Sequence, residues 1–492
     1  MQDRAPLGLR YGPFTVYLKT FEGCPSLYPF VQALPATAPF VWFDSPRFHE
    51  VTGRWSVVGA EPWLTFVARG DQMELRTSAA THIWREHPLE AFGRLLQRYH
   101  VASSPLQDGV LSRGVSLMGW LSYDLNRWIE RLPVPVPSQR PVPEMAWFGM
   151  KVVVLLDHQL QRGWILSLVD PHSPSALAHR EAIRALDRAE AQLNAVRQEG
   201  TVSPARVSPL AATTTQPAFE GMVLRALEAI RAGDIFQANI SQRFTASWSG
   251  QAGALYQSLR QINPSPFACW LSCDELSVVS CSPERLVRVQ DGRIDTRPIA
   301  GTRPRGATPA DDALQSLELL LSEKERAEHI MLVDLARNDL GRVCAIGSVA
   351  VDELMTLEEY SHVIHIVSQV SGRLRAGLGP VDVIRATFPG GTITGCPKVR
   401  CMEMLRELEP VARGLYTGSL GYVGLDGTMD LNIAIRTMVI QDHRLSFHVG
   451  AGIVADSDPE REYHETLAKA AALMRALQAY QPRQDFVHAP AG

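Results

Sequence analysis

No apolar run in this chain approaches the roughly 20 residues that a helix needs to cross a bilayer, so no segment reads as a membrane span. The start, MQDRAPLGLRYGPF, has no basic segment leading into an apolar core, which argues against a secretory signal and makes the expected location cytoplasmic. An excess of one charge is also missing: 48 Lys and Arg stand against 52 Asp and Glu, interspersed, for a formal net charge of −4. Without a basic stripe there is no footprint for a phosphate backbone, and nucleic acid is not an expected partner. The seven cysteines (Cys24, Cys269, Cys273, Cys281, Cys344, Cys396 and Cys401) are odd in number and contain no CxxC set. They therefore spell neither a zinc site nor a disulfide framework, and read as buried thiols in a reducing compartment. Internal repeats and low-complexity tracts are absent.

What is present suits one very large domain or two: 492 residues with 46% hydrophobic content. Residues 1–198 mix strand-like runs (FVWFD, WSVVGA, LTFVA, KVVVLLD, WILSLV) with proline-rich connections and a few helices such as PLEAFGRLLQRYH. The stretch GTVSPARVSPLAATTTQP has no periodic apolar pattern and predicts a surface linker over 199–217. Residues 218–480 alternate strands (ACWLS, LSVVSCS, GSLGYVGL, LNIAIRTMVI, LSFHVGAGIV) with helices (FEGMVLRALEAIRAGDI, LELLLSEKERAEHIMLVDLARNDL, PEREYHETLAKAAALMRALQAY), and 481–492 form a tail. The fold class is α+β.

The densest segment is FPGGTITGCPKVR, Phe388 to Arg400, with three glycines, two prolines, Thr392, Thr394 and Lys398 leading into a helical run. Its composition predicts an anion-binding loop at a helix start, against the plainer reading of a Gly/Pro connection. Two helices carry acidic faces. Glu325 and Glu328 lie three apart, with Glu328 on the side of Leu332 and Leu335; Glu462, Glu465 and Lys469 follow Pro459 at helical steps. Two glutamates from different helices, with no His or Cys ligand set, suit magnesium; solvated faces with Glu–Lys pairs are the alternative. Arg436 lies in the apolar run LNIAIRTMVI, where it serves either a structural ion pair or a substrate clamp. Gly450, Ala451 and Gly452 mark either a bulge or a close backbone approach. His365 is a core histidine or a catalytic one, and Glu284, after a Ser-Pro turn, is a surface residue or a general acid.

In this order the segments IRAGDIFQANISQRF, NPSPF, SPERLV, RPIAGTRPRG, ERAEHIMLVDLARNDLGRV, HVIHIVS, FPGGTITGCPKVR, GSLGYVG, IAIRT, GAGIVADSDPE and EYHETLAKA resemble one family closely. It is that of the chorismate-utilising enzymes, which includes anthranilate synthase component I, aminodeoxychorismate synthase component I, and the isochorismate and salicylate synthases. The matches run from about residue 231 to residue 470, and weaker ones (FDSP, GRWSVVGAEP, GWLSYDLNRWIERLP) extend the resemblance over nearly the whole chain. It implies a large two-sheet, β-sandwich-like core with surrounding helices, as in anthranilate synthase component I. It also implies a Mg2+ ion on Glu328 and Glu465, with Glu462 and Glu325 beside them. Tyr416 and Arg436 match the pair that holds the side-chain carboxylate of chorismate, and the backbone of Gly450, Ala451 and Gly452 matches a nest for a substrate carboxylate. Glu284 matches the general acid, His365 the active-site histidine, and Thr392, Thr394 and Lys398 lie in the dense loop.

Water-using members of the family carry a lysine where this chain has Gln237. A glutamine cannot activate water as a base, so the resemblance implies ammonia as nucleophile. No Gly-x-Cys-x-Gly nucleophile elbow is present to release ammonia from glutamine, so a separate glutamine amidotransferase subunit is the implied partner. The product divides the motifs. Asn239, Phe267 and the run MEMLRELEPVARGLYTGSLGY resemble the aminodeoxychorismate branch, which leads to 4-aminobenzoate and folate. Ala300, in PIAGT, is what anthranilate synthases of the tryptophan branch have where many aminodeoxychorismate synthases carry a lysine. The expectation is aminodeoxychorismate synthase component I. Anthranilate synthase component I is the alternative, and a chorismate- or tryptophan-binding regulatory subunit is the non-enzymatic rival.

Overall fold

A computed structural model describes residues 7–480, apart from 50, 103–108, 134–140, 173, 196–204, 275, 307, 360–362 and 479. The fold is α+β, organised by two long antiparallel strands, Trp55–Arg69 and Met145–Asp157, which pair along their whole length. Val153 and Leu155 join one core cluster while Val152, Val154 and Leu156 join the other, so both faces of the strand are covered. That is why KVVVLLD is a continuous apolar run rather than an alternating one.

Each long strand belongs to two sheets. The first half of Trp55–Arg69 pairs with Phe40–Asp44 and the second with Gln72–Thr77, with a register shift between Pro62 and Leu64. Met145–Asp157 likewise pairs with Ser116–Leu121 and then with Arg162–Leu168. One sheet continues through Phe40–Asp44, Phe267–Cys273, Leu276–Ser282, Thr437–Gln441, Arg444–Ile453 and Gln237–Ser249. The other continues through Ser116–Leu121, Ser419–Gly424, Met429–Asn432, Arg285–Gln290, Arg293–Thr296 and Val363–Arg373. The strand-like runs WSVVGA and LTFVA are thus one bent strand.

The helices Ala176–Asn194, Ala252–Ile262 and Pro459–Gln478 cover one cluster, whose buried members include Leu186, Leu259 and Leu473. Pro459 opens its helix, and Asp458 caps it by accepting from the Arg461 N–H at 3.0 Å. The run LELLLSEKERAEHIMLVDLARNDL is two helices, Pro309–Leu321 and Glu323–Gly341, because Ser322 ends one and caps the next by accepting from the Glu325 N–H. The predicted linker is not free where it is described. Arg206–Val207 and Ala211–Ala212 add short strands to the edge of Gln237–Ser249, and Val207 is buried. Composition signals a lack of periodicity there, not a lack of pairing partners; residues 199–204 and the tail 481–492 lie outside the described residues.

Candidate active site

Two neighbouring strands cross from one sheet to the other, and both break as they do so. Ser280 pairs with Thr437 in the first sheet and Arg285 with Asn432 in the second, which leaves Cys281–Glu284 facing Ile433–Arg436 outside either ladder. The Ser282 hydroxyl donates to the Ile433 carbonyl at 2.5 Å, Ile433 N–H to the Glu284 carbonyl at 3.0 Å, and Cys281 N–H to the Arg436 carbonyl at 3.1 Å. The turn that follows Tyr416 is tied to the same break, Thr417 N–H donating to Ala434 at 2.8 Å. Arg436 is therefore not a strand residue as its apolar surroundings predict. It occupies a bend at φ +51° and is half-buried, its charge within reach of both Glu284 and His365.

Glu284 is 7% exposed, which removes the surface reading. Burial pushes its carboxyl up to about 7; the hydrogen bond from Thr392 Oγ1 at 2.8 Å and the charge of Arg436 pull the other way. His365 lies opposite Thr302 on the strand Val363–Arg373 and pairs through Nδ1 with the Gly301 carbonyl at 3.1 Å. A carbonyl only accepts, so Nδ1 carries the proton and Nε2 the lone pair. Burial holds the ring down to about 4, so it is neutral at pH 7. Ala300, 8% exposed, sits beside the bulge at Gly301.

A second wall comes from the strands Gln237–Ser249 and Arg444–Ile453, which pair Asn239 with Gly452 and Ser241 with Gly450. Gln237 and Asn239, two residues apart, share a strand face. A Cβ on Gly452 would stand 2.7 Å from Gln237 Nε2, and one on Gly450 2.6 Å from both Asn239 Oδ1 and Tyr416 Oη. The glycines thus make room for these side chains. Gly450, Ala451 and Gly452 do not form a nest of alternating turn conformations. They are extended, and their strand has an open edge because the partner Thr437–Gln441 ends opposite Phe447 and His448. Tyr416 is buried with its ring stacked on His448.

The dense loop binds mostly to its own protein. Lys398 donates to Asp339 at 2.7 Å and to the Thr387 carbonyl, and Thr394 Oγ1 donates to the Gly390 carbonyl. The glycines serve close packing: a Cβ on Gly391 would lie 1.9 Å from Leu335 Cδ2, and one on Gly395 2.2 Å from the Gln237 carbonyl. The anion-binding reading therefore fails for Lys398 and Thr394, and Thr392 is the loop residue that reaches a site side chain, Glu284.

The glutamates gather where the helices Glu323–Gly341 and Pro459–Gln478 approach. Gln237 Nε2 donates to Glu328 Oε1 at 3.0 Å, and Lys469 pairs with Glu465 at 2.7 Å. Lys324 and Lys469 act on both Glu328 and Glu462, which places the two acidic faces together. Burial raises the Glu328 and Glu462 carboxyls, assisted by Glu325 and Glu465 respectively, and one buried oxygen of Glu462 has no hydrogen-bond partner. Glu325 bonds to Arg303 at 3.2 Å. Among the described residues no three His, Cys, Asp or Glu form a ready ligand set. Raised carboxylates and an unsatisfied oxygen still fit a cation that takes one or two carboxylates and keeps waters, as magnesium does.

The family model for chorismate binding enzymes matches residues 38–475. The chain belongs to that family. This chorismate-binding enzyme is 48% identical over 73% of its length to an anthranilate synthase component I-like protein of Synechocystis, covering 72% of that protein. It is 38% identical to aminodeoxychorismate synthase component 1 of Bacillus subtilis, covering 87% of this chain and 90% of that one. Its fold matches the crystal structure of anthranilate synthase component I from Streptococcus pneumoniae with a TM-score of 0.75 and 30% identity, over 87% of this chain and 94% of that one. No helix among the described residues is long and apolar enough to cross a membrane. Within the chorismate-binding enzyme, sequence reasoning passed over Glu409 and Arg413, which bridge the strand at Asn239 and Ser241 to the loop at Ile393. Their four-residue spacing in ELEPVARG was the available signal, but it looks the same as any exposed pair.

Proposed function

We propose that this chain aminates chorismate with ammonia released by a separate glutamine amidotransferase subunit, giving 4-amino-4-deoxychorismate. The observation that carries the choice of nucleophile is Gln237: the residue is 4% exposed and its amide donates to Glu328, so no base stands there to deprotonate water. Ammonia needs no such base. Arg436 and Tyr416 hold the enolpyruvyl carboxylate, with Gly450 and Gly452 making room for the Tyr416 and Gln237 side chains, and orientation supplies much of the rate. Glu284, protonated, delivers its proton to the C4 hydroxyl, which leaves as water. A C–N bond forms as the C4–O bond breaks, at C4 directly or at C2 with a second exchange that places the amine at C4, and the proton shed by nitrogen restores the Glu284 acid; the C3–O ether bond stays intact, so the enolpyruvyl group is retained. Glu328 and Glu465, with Glu462 and Glu325 beside them, would hold Mg2+, which supplies charge neutralisation for the ring carboxylate. Ala300 has no amine, so no lysine adduct forms at that position.

A second reading, formation of anthranilate with loss of pyruvate, is favoured by Ala300 and by the anthranilate synthase names of similar proteins. The test is purified chain with chorismate, MgCl2 and an ammonium salt at alkaline pH, products identified by mass spectrometry with and without an aminodeoxychorismate lyase. The expected product is 4-amino-4-deoxychorismate, which the lyase converts to 4-aminobenzoate, with turnover lost in EDTA, restored by Mg2+ and lost in Glu328→Gln. Anthranilate with pyruvate and no lyase requirement establishes the second reading. Chorismate that binds but is not consumed points instead to a regulatory subunit.

A further inference from the structure

Arg413 is 3% exposed and every donor group of its guanidinium is used. Nε and Nη2 fork onto Glu409 at 2.8 and 2.7 Å, Nη2 also donates to the Asn239 carbonyl at 2.5 Å, and Nη1 donates to the Ile393 carbonyl at 3.1 Å and to Thr417 Oγ1 at 3.2 Å. The same group lies over the rings of Tyr123 and Tyr416, 4.8 and 5.6 Å from their centroids. Glu409, 6% exposed, accepts from the backbone N–H and the hydroxyl of Ser241, both at 2.8 Å.

Each of these partners adjoins a residue of the site. Asn239 and Ser241 lie on the strand that carries Gln237 and face Gly452 and Gly450 across the ladder. Ile393 lies between Thr394 and Thr392, the residue bonded to Glu284. Thr417 follows Tyr416 at φ +59°. A buried ion pair offers little net stability once desolvation is counted, and apolar residues of similar volume would fill the space as well. What they could not supply is a planar fork whose bonds fix three separate segments at set distances.

We infer that Glu409 and Arg413 are a positioning pair that holds the Gln237 strand, the Thr392 loop and Tyr416 in the register chorismate binding requires. This rests on the assignment of Tyr416, Gln237 and Glu284 to the substrate site made above. Arg413→Lys keeps the charge but its ammonium offers three donors in place of five. Ser241→Ala and Thr417→Val each remove one hydroxyl bond to the pair.

Chorismate binding is measured by calorimetry on the full chain, alongside kcat and KM with ammonium and a thermal melt. The expected result is a Kd and KM about tenfold weaker for Arg413→Lys and about threefold weaker for each hydroxyl variant. The restoring control Ser241→Thr should return most of the loss. A pair that serves stability alone would lower the melting temperature while leaving Kd and KM at the wild-type value, and that result overturns the inference. If Arg413→Lys fails to fold, unchanged Kd in both hydroxyl variants overturns it equally. Calorimetry needs no turnover, so a wild-type chain that binds chorismate without aminating it refutes the reaction assigned above and leaves this measurement readable.

Discussion

At Glu284 the fold sets burial against charge: the seam between the sheets removes water from the carboxyl, while Thr392 and Arg436 favour its ionised form, and burial is the larger influence. A carboxyl raised from 4.5 to about 7 can still carry a proton at neutral pH, which a general acid requires. Two consequences separate its chemistry from its stability. In the Glu284→Gln variant turnover should fall by roughly 10²–10⁴, with chorismate still bound; wild-type turnover would remove Glu284 from the mechanism. In the wild type the rate per molecule of free ammonia should decline as pH rises through about 7, because the protonated acid is lost there. The stability effect follows the same raised pKa. The folded state holds its proton more tightly than the unfolded one, so this contribution is complete below about 4.5 and is lost as pH rises through about 7. Gln does not titrate. Urea unfolding at pH 5 and pH 8 should therefore show the variant gaining on the wild type with pH, by an upper estimate of about 3 kcal/mol; a pH-independent difference would show that the carboxyl is not desolvated. Residue types and family order made Glu284, His365 and Gln237 legible. The set of carbonyls gathered by Arg413 was not, because main-chain acceptors have no sequence signature.

Among the elements, the strand Arg444–Ile453 shows why local pattern identifies glycines without giving their purpose. VGAGIV suggested a bulge or a backbone cradle, yet the strand is regular and its glycines matter for the Cβ they lack. Crowding differs between them. At Gly450 a Cβ meets two site side chains at 2.6 Å and the Ile240 carbonyl at 2.9 Å, whereas at Gly452 its one close neighbour is the movable end of Gln237 at 2.7 Å. Gly450→Ala should accordingly raise the KM for chorismate about tenfold or more, at a stability cost of about 1–3 kcal/mol, and Gly452→Ala should stay within about threefold of wild type. Steady-state kinetics with thermal melts check both; equal effects would mean that the wall is not built as described. The helix that broke at Ser322 and the paired linker teach a similar lesson. Periodicity continues across a cap, and short edge strands take their partners from distant residues.

For the molecule as a whole, the division at 199–217 is a division of sequence and not of packing. Phe40–Asp44 pairs with Phe267–Cys273, and Ser116–Leu121 pairs with Ser419–Gly424, so each sheet runs from residues of the first half into residues of the second. The larger core cluster is shared in the same way, with Trp120 and Trp147 from before the division and Leu286, Leu420 and Leu431 from after it. Cutting the chain there would expose strand edges in each fragment together with the apolar faces they carry, an arrangement prone to aggregation. No such weakness is visible in the composition, which reads alike for a linker between domains and for a strap along a sheet edge. Residues 1–198 and 205–492 expressed separately should fail to give folded, soluble protein, while co-expression should recover chorismate binding. The intact chain should lose far-UV ellipticity and tryptophan fluorescence in one coincident transition. Two resolved transitions, or a catalytic fragment that folds and binds chorismate alone, would show that the long strands Trp55–Arg69 and Met145–Asp157 do not weld the sheets into one cooperative unit.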